Sequence, residues 1–220
     1  MQVLVGAGAA GRRAVCAVAL AVVLTGCSAG AEDDAKAAES TSASAASVAR
    51  SGGSLGAKGS DCELPVTFDI AEEWTAEAVD GSTEADGELA EELADALLHQ
   101  GPVTAACEVD AKPAGNIGFL RVWTGEPGDD DARTVLKAFV AAEDGVSKER
   151  YRTFTTGGLT GAEVEYLYTS EILEETKEER ALAVTTPRGP VVLHLGGLDT
   201  EEHRAMLPAY ELAKKTLRTG

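Results

Sequence analysis

Arg180-Ala181-Leu182-Ala183-Val184-Thr185, then Pro187-Arg188-Gly189-Pro190, then Val191-Val192-Leu193-His194-Leu195: this stretch reads as two apolar strands joined by a tight turn. Proline presets one turn dihedral and glycine relieves another, so the chain reverses there and the arms pair antiparallel. His194 breaks the apolar Val191–Leu195 run, and we expect it on the solvent face of its strand. Upstream, Ile117-Gly118-Phe119-Leu120-Arg121-Val122-Trp123 is apolar on both faces except at Arg121 and reads as a central strand of the sheet.

Working outward, the spacing predicts strands around Thr104–Val109, Tyr151–Thr155 and Ala162–Thr169. Val66, Phe68 and Ile70 alternate, as do Trp74, Ala76 and Ala78, and read as a first hairpin. Leu89, Leu93, Ala96 and Leu97 share a face and predict an amphipathic helix over Glu88–His99, stopped by Gly101-Pro102. Val135, Leu136, Phe139 and Val140 predict a second helix, capped by the aspartates Asp129–Asp131 and ended near Gly145. Glu171–Glu179 reads as a charged connection. A third helix starts at Asp199 or Thr200 and buries Met206, Tyr210, Ala213 and Leu217, with a kink expected at Pro208. Hairpin-length connections make this an α+β chain: a mostly antiparallel sheet of about eight strands with three packed helices.

The first sixty residues are of another kind. Arg12 and Arg13 precede Ala14–Leu24, an uncharged run suited to a signal-peptide core. It is shorter than the about 20 residues needed to span a bilayer. Gly6-Ala7-Gly8-Ala9-Ala10-Gly11 matches a dinucleotide-binding fingerprint, but no second strand with an acidic end follows, so no βαβ unit can form. Residues 28–60 are Ala, Ser, Gly, Asp, Glu and Lys with one leucine, and read as a flexible tether with a reach of roughly 30 Å. Gly52-Gly53-Ser54-Leu55-Gly56 matches a nucleophile elbow and is set aside because it falls in that tract.

The leader resembles those of bacterial lipoproteins of the high-GC, actinobacterial type. Leu24, Thr25 and Gly26 before Cys27 form the lipobox. The resemblance implies cleavage before Cys27, acylation of that cysteine through a diacylglyceryl thioether with palmitate-like chains, and anchorage to the plasma membrane on its extracytoplasmic face. Two or more acyl chains make such attachment durable. The chain then divides into 1–26, the signal peptide; 27–60, the acylated cysteine and tether; and 61–220, one α+β domain.

Nineteen basic residues against 37 acidic ones give a net charge of −18. This excludes nucleic acid as a partner and argues against docking on anionic lipid through the domain surface. Cys62 and Cys107 remain after the leader cysteines, Cys16 and Cys27, and an oxidising compartment makes them a disulfide.

The domain resembles the PsbP-like fold of small exported lipoproteins, including the mycobacterial Lpq-type proteins. The residues that carry this are Trp74 after the first strand, the Gly161–Tyr168 strand, the Val184–Leu195 hairpin and the closing helix through Leu207-Pro208-Ala209-Tyr210. The resemblance implies binding or assistance in assembly rather than catalysis, with no cofactor. The Glu88–His99 helix and the Cys62–Cys107 pair lie outside the common pattern.

No catalytic signature stands out. His194, Asp199 and His203 are near enough in sequence to converge, yet zinc-ligand spacing is absent. Glu163 and Glu165 share a strand face, and Glu126 with Asp129–Asp131 lacks the glycine and terminal glutamate of a calcium loop. Trp123, Tyr166 and Tyr168, with Phe154, are the aromatics expected to cluster, either as core or as the lining for an apolar envelope molecule. The favoured expectation is a non-catalytic binding or accessory lipoprotein whose partner is an envelope protein or an apolar ligand. The alternatives are a cell-wall hydrolase using carboxylates or a metal, and a structural surface protein.

Overall fold

The computed structural model describes residues 47–79 and 97–220. The strands are β1 (Ser51–Leu55), β2 (Val66–Ala71), β3 (Thr75–Ala78), β4 (His99–Gln100), β5 (Val103–Asp110), β6 (Gly118–Thr124), β7 (Val146–Thr156), β8 (Leu159–Ser170), β9 (Glu175–Thr186), β10 (Gly189–Gly197) and β11 (Arg218–Thr219). The helices are α1 (Ala132–Ala141) and α2 (Thr200–Thr216). Among these residues the main antiparallel sheet has eight strands, ordered β3-β5-β6-β10-β9-β8-β7, with β4 also paired to β5. A smaller antiparallel sheet is ordered β1-β2-β11.

Alternation along each strand sends side chains to two faces, and a helix covers each. Ala105, Trp123, Ala162, Val164, Ala183 and Val192 pack on Val135, Leu136, Phe139 and Val140 of α1. Val109, Val122, Leu182, Val184, Leu193 and Leu195 pack on Met206, Ala209, Tyr210 and Ala213 of α2, together with Val66 and Phe68 of the small sheet. Cover on both sides explains why every residue of β10 is buried.

Local chemistry sets the helix ends. The Asp131 carboxylate accepts the Thr134 N–H at 2.7 Å and caps α1. That of Asp199 accepts the Glu202 N–H at 2.9 Å and caps α2. Gly145 turns the chain from α1 into β7 with φ 79°, and a Cβ there would lie 2.3 Å from the Thr169 carbonyl oxygen. Cys62 and Cys107 form the expected disulfide, tying the loop before β2 to β5 across 45 residues of sequence.

Five expectations need correction. The tether does not run to residue 60: Ser51–Leu55 is a strand paired with β2. The elbow-like Gly52–Gly56 therefore sits in that strand, where the Ser54 hydroxyl donates to the Phe68 carbonyl at 3.3 Å. β2 and β3 are not a hairpin; they separate into different sheets, with Glu73 taking up the bend at φ 66°. Two α-helices stand among the described residues where three were expected. The Glu88–His99 helix falls mostly outside them, and His99 itself pairs with Thr104 as part of β4. Glu175–Glu179 is not connection but the start of β9, and Glu179 is buried.

Candidate functional site: a cleft beyond the first helix

α1 is short, and just past its C-terminal end the sheet face forms a cleft of about 510 Å³. Glu143, one residue after the helix cap, forms part of its wall. Phe119 and Arg121 from β6, His194 and Gly196 from β10 and Tyr168 from β8 add floor and sides. The Arg121 guanidinium lies 4.5 Å above the Phe119 ring and 5.6 Å from the Trp123 ring, and bonds the Glu108 carboxylate at 2.5 Å. Trp123 meets Phe139 edge-on, and its buried indole N–H has no protein partner.

Below the floor lies a chain of buried polar groups. His194 is not on a solvent face, as its break in an apolar run implied; it points toward the α1 side, 8 % exposed. Its Nε2 is 2.7 Å from Glu179 Oε2, and Lys177 Nζ is 2.8 Å from Glu179 Oε1. The Tyr166 hydroxyl lies 3.0 Å from the same Glu179 oxygen and 2.9 Å from Glu143 Oε2. Tyr166 has one proton for two carboxylates. Burial and the Glu179 charge push the Glu143 pKa up. Burial acts to raise Glu179 too, but the charge and hydrogen bonds of His194 and Lys177 outweigh it and hold Glu179 at about 2. The Tyr166 hydroxyl therefore donates to one carboxylate at a time, with His194 Nε2 3.2 Å from the same oxygen, while Lys177 donates to Glu179.

The structure sorts the residues singled out from sequence. Trp123 and Tyr168 line the cleft, and Tyr166 lies beneath it through its hydroxyl. Phe154 packs with the α2-side core instead. His194, Asp199 and His203 make no common constellation. His194 bonds Glu179 and Tyr166, Asp199 caps a helix, and His203 lies on α2, which covers the other face. Glu163 and Glu165 are held in ion pairs, Glu163 by Lys214 at 3.0 Å and Glu165 by Arg152 and Arg180. Among the described residues no group of three His, Cys, Asp or Glu side chains is arranged to hold a metal. Glu143, Glu179 and Arg121 were missed. For Arg121 and Glu179 the signal was a charged residue in register with an apolar strand face, masked in Glu179 by the surrounding run of glutamates; Glu143, in the turn after α1, carried none.

Cys27 and the lipobox Leu24, Thr25 and Gly26 lie outside the described residues. Over residues 32–217 the chain matches the family described as "Uncharacterised lipoprotein", and it belongs to that family. No curated protein matches it. Solved structures similar to it include these two. The solution structure of cyanobacterial PsbP (CyanoP) from Synechocystis sp. PCC 6803 is 11% identical, covers 76% of this chain and 92% of its own, and has a TM-score of 0.48. The crystal structure of LpqN, involved in cell envelope biogenesis of Mycobacterium tuberculosis, is 14% identical, covers 76% of this chain and 91% of its own, and has a TM-score of 0.41.

Proposed function

We infer that this lipoprotein is held by a diacylglyceryl group on Cys27 at the extracytoplasmic face of the cell membrane, and that its folded part binds rather than catalyses. Membership of the lipoprotein family supports the anchor, together with the leader and its lipobox. The observation that carries the binding reading is the cleft: a groove walled by Phe119, Trp123 and Tyr168 whose carboxylates are each engaged, Glu108, Glu143 and Glu179 by neighbouring side chains and Asp110 by the Lys112 N–H. Such a groove suits an apolar or amphipathic envelope molecule, with the unpartnered Trp123 N–H available to an acceptor on it.

A second reading has its own observation. Ile117, Ile172, Leu173 and Leu198 are exposed, all at the end of the sheet where β6 begins, β8 turns into β9 and β10 ends. Apolar side chains gathered there suit contact with an envelope protein.

Two experiments test these readings. Cys27→Ser should release the protein from the membrane fraction; if the variant still sediments with membranes, the acyl anchor is wrong. Native mass spectrometry of the released protein, taken from its own envelope, should show a retained small molecule that Trp123→Phe weakens. Bound metal, or cleavage of cell-wall material by the pure protein, would instead favour the hydrolase.

A further inference from the structure

On the opposite face a larger cavity, about 680 Å³, opens between the first turns of α2 and the edge strand β7. The chain as a whole carries −18, yet nitrogen gathers here: Lys148, Arg150, Arg180 and His203 all line this space. The carboxylates of the cavity are already engaged. Glu165 is paired with Arg150 at 3.5 Å and more closely with Arg152 and Arg180. Glu178 accepts two hydrogen bonds from Arg204, at 2.9 and 2.5 Å, and Glu149 accepts the Tyr151 hydroxyl. Glu179 bonds His194 and Lys177 on the α1 side.

The nitrogens are not all engaged. Lys148 sits in a bulge of β7, at φ 57°, where the pairing with β8 slips between Ser147 and Arg150. A left-handed backbone at a non-glycine residue costs on the order of 1 kcal/mol and is kept where surroundings enforce it. Arg150 is tied only by its longer contact to Glu165. The Nε–H of Arg180 is buried without a partner, and so is Nδ1 of His203, a residue only 2% exposed. A buried donor left unmade is costly, and one on a charged group more so.

We propose that this cavity binds an oxyanion, the phosphate or carboxylate of an envelope molecule, held by Lys148, Arg150 and the Arg180 Nε–H beside His203. This site is separate from the cleft and independent of what the cleft takes. Guanidinium forks and ammonium groups suit such oxygens, and charge-assisted hydrogen bonds are among the stronger ones. The four carboxylates of the lining, Glu149, Glu165, Glu178 and Glu179, already hold partners, so an anion would meet the nitrogen positions they leave open.

The test is titration of the full mature chain bearing Cys27→Ser with inorganic phosphate and, separately, acetate. NMR follows the His203 ring and the Arg180 Nε–H. We expect a saturable shift of both signals. Burial, aided by the charges of Arg180 and His194, holds the His203 pKa at about 4 against the opposing pull of Glu179 and Glu178; a bound anion should raise it. Lys148→Ala removes no hydrogen bond or ion pair among the described residues and should weaken binding about tenfold, the loss of one charge-assisted contact. Lys58→Ala, outside the cavity, should not. Sedimentation with phosphatidylglycerol vesicles, but not phosphatidylcholine vesicles, would assign the oxyanion to a lipid headgroup. Phosphate binding without vesicle binding would assign it to a soluble or glycan-borne phosphate. A shift that grows linearly with ionic strength and ignores Lys148→Ala, or no shift with either anion, overturns the proposal.

Discussion

Beneath α1 the sheet holds its ionisable side chains as a short hydrogen-bonded chain converging on Glu179. Beneath α2 it holds them as a ladder of pairs, Glu163 with Lys214, Glu165 with Arg152 and Arg180, and Arg180 with Glu211, running out to the edge strand. Both arrangements are buried at their inner carboxylates, Glu179 at 3% and Glu163 at 4% exposure, but the ladder reaches solvent at its outer end, where Arg152 is 56% exposed. A buried cluster feels single protons, because moving one changes a charge with little solvent to answer it. The outer end of the ladder feels salt as well, because mobile ions screen it. The two faces also differ in fastening: the disulfide belongs to the α2-side core, and the α1-side core is held by packing and by its buried hydrogen bonds.

That asymmetry can be broken at the staple. Cys62→Ser with Cys107→Ser should cost about 4 kcal/mol, from the loop the bond closes, measured as a lower urea midpoint. The His194 ring signal on the other face should stay in place. Phe139→Ala strikes the packed face and should cost about 3 kcal/mol, with a change in Trp123 fluorescence, because that ring loses its edge-on neighbour.

Proton dependence sharpens the contrast. His203 is depressed to about 4 from 6.5, so its contribution is complete above 6.5 and is lost as pH falls through 4. Glu179, depressed to about 2 from 4.5, contributes above 4.5 and loses that contribution toward 2. Glu143 has the opposite sign. Its folded-state value is raised, so its contribution is complete below 4.5 and disappears as pH rises through the folded value. Thermal melts against pH should show both limbs, and Glu143→Gln, which mimics the protonated acid, should flatten only the upper one. The smallest effect is expected at the exposed end of the α2 side. Arg204→Ala removes a bidentate pair to Glu178 and should lower the melting temperature least of all these variants, and less still in high salt.

Much of this architecture was readable before any coordinates. The β9–β10 hairpin, the β5–β6 pair, the buried stripe of α1 and the disulfide follow from alternation, helical spacing, turn residues and cysteine count. The failures share a cause: periodicity reports which face a residue takes, not which strand it pairs with. Val66–Ala71 and Thr75–Ala78 look like neighbours and belong to different sheets. Ser51–Leu55 is exposed except at Leu55 and joins the sheet through its backbone, so its small polar side chains carry almost no signal. At the cleft the aromatics Trp123 and Tyr168 were legible. The charges were not, because Glu179 pairs with Tyr166 only through the β8–β9 register, which the acidic run before Arg180 conceals.

β2 takes a partner on each side, β1 from near the start of the folded region and β11 from its last residues. Arg218 and Thr219 are therefore what completes that small sheet, and a variant lacking them should expose an unpaired β2 edge, open to pairing with another chain.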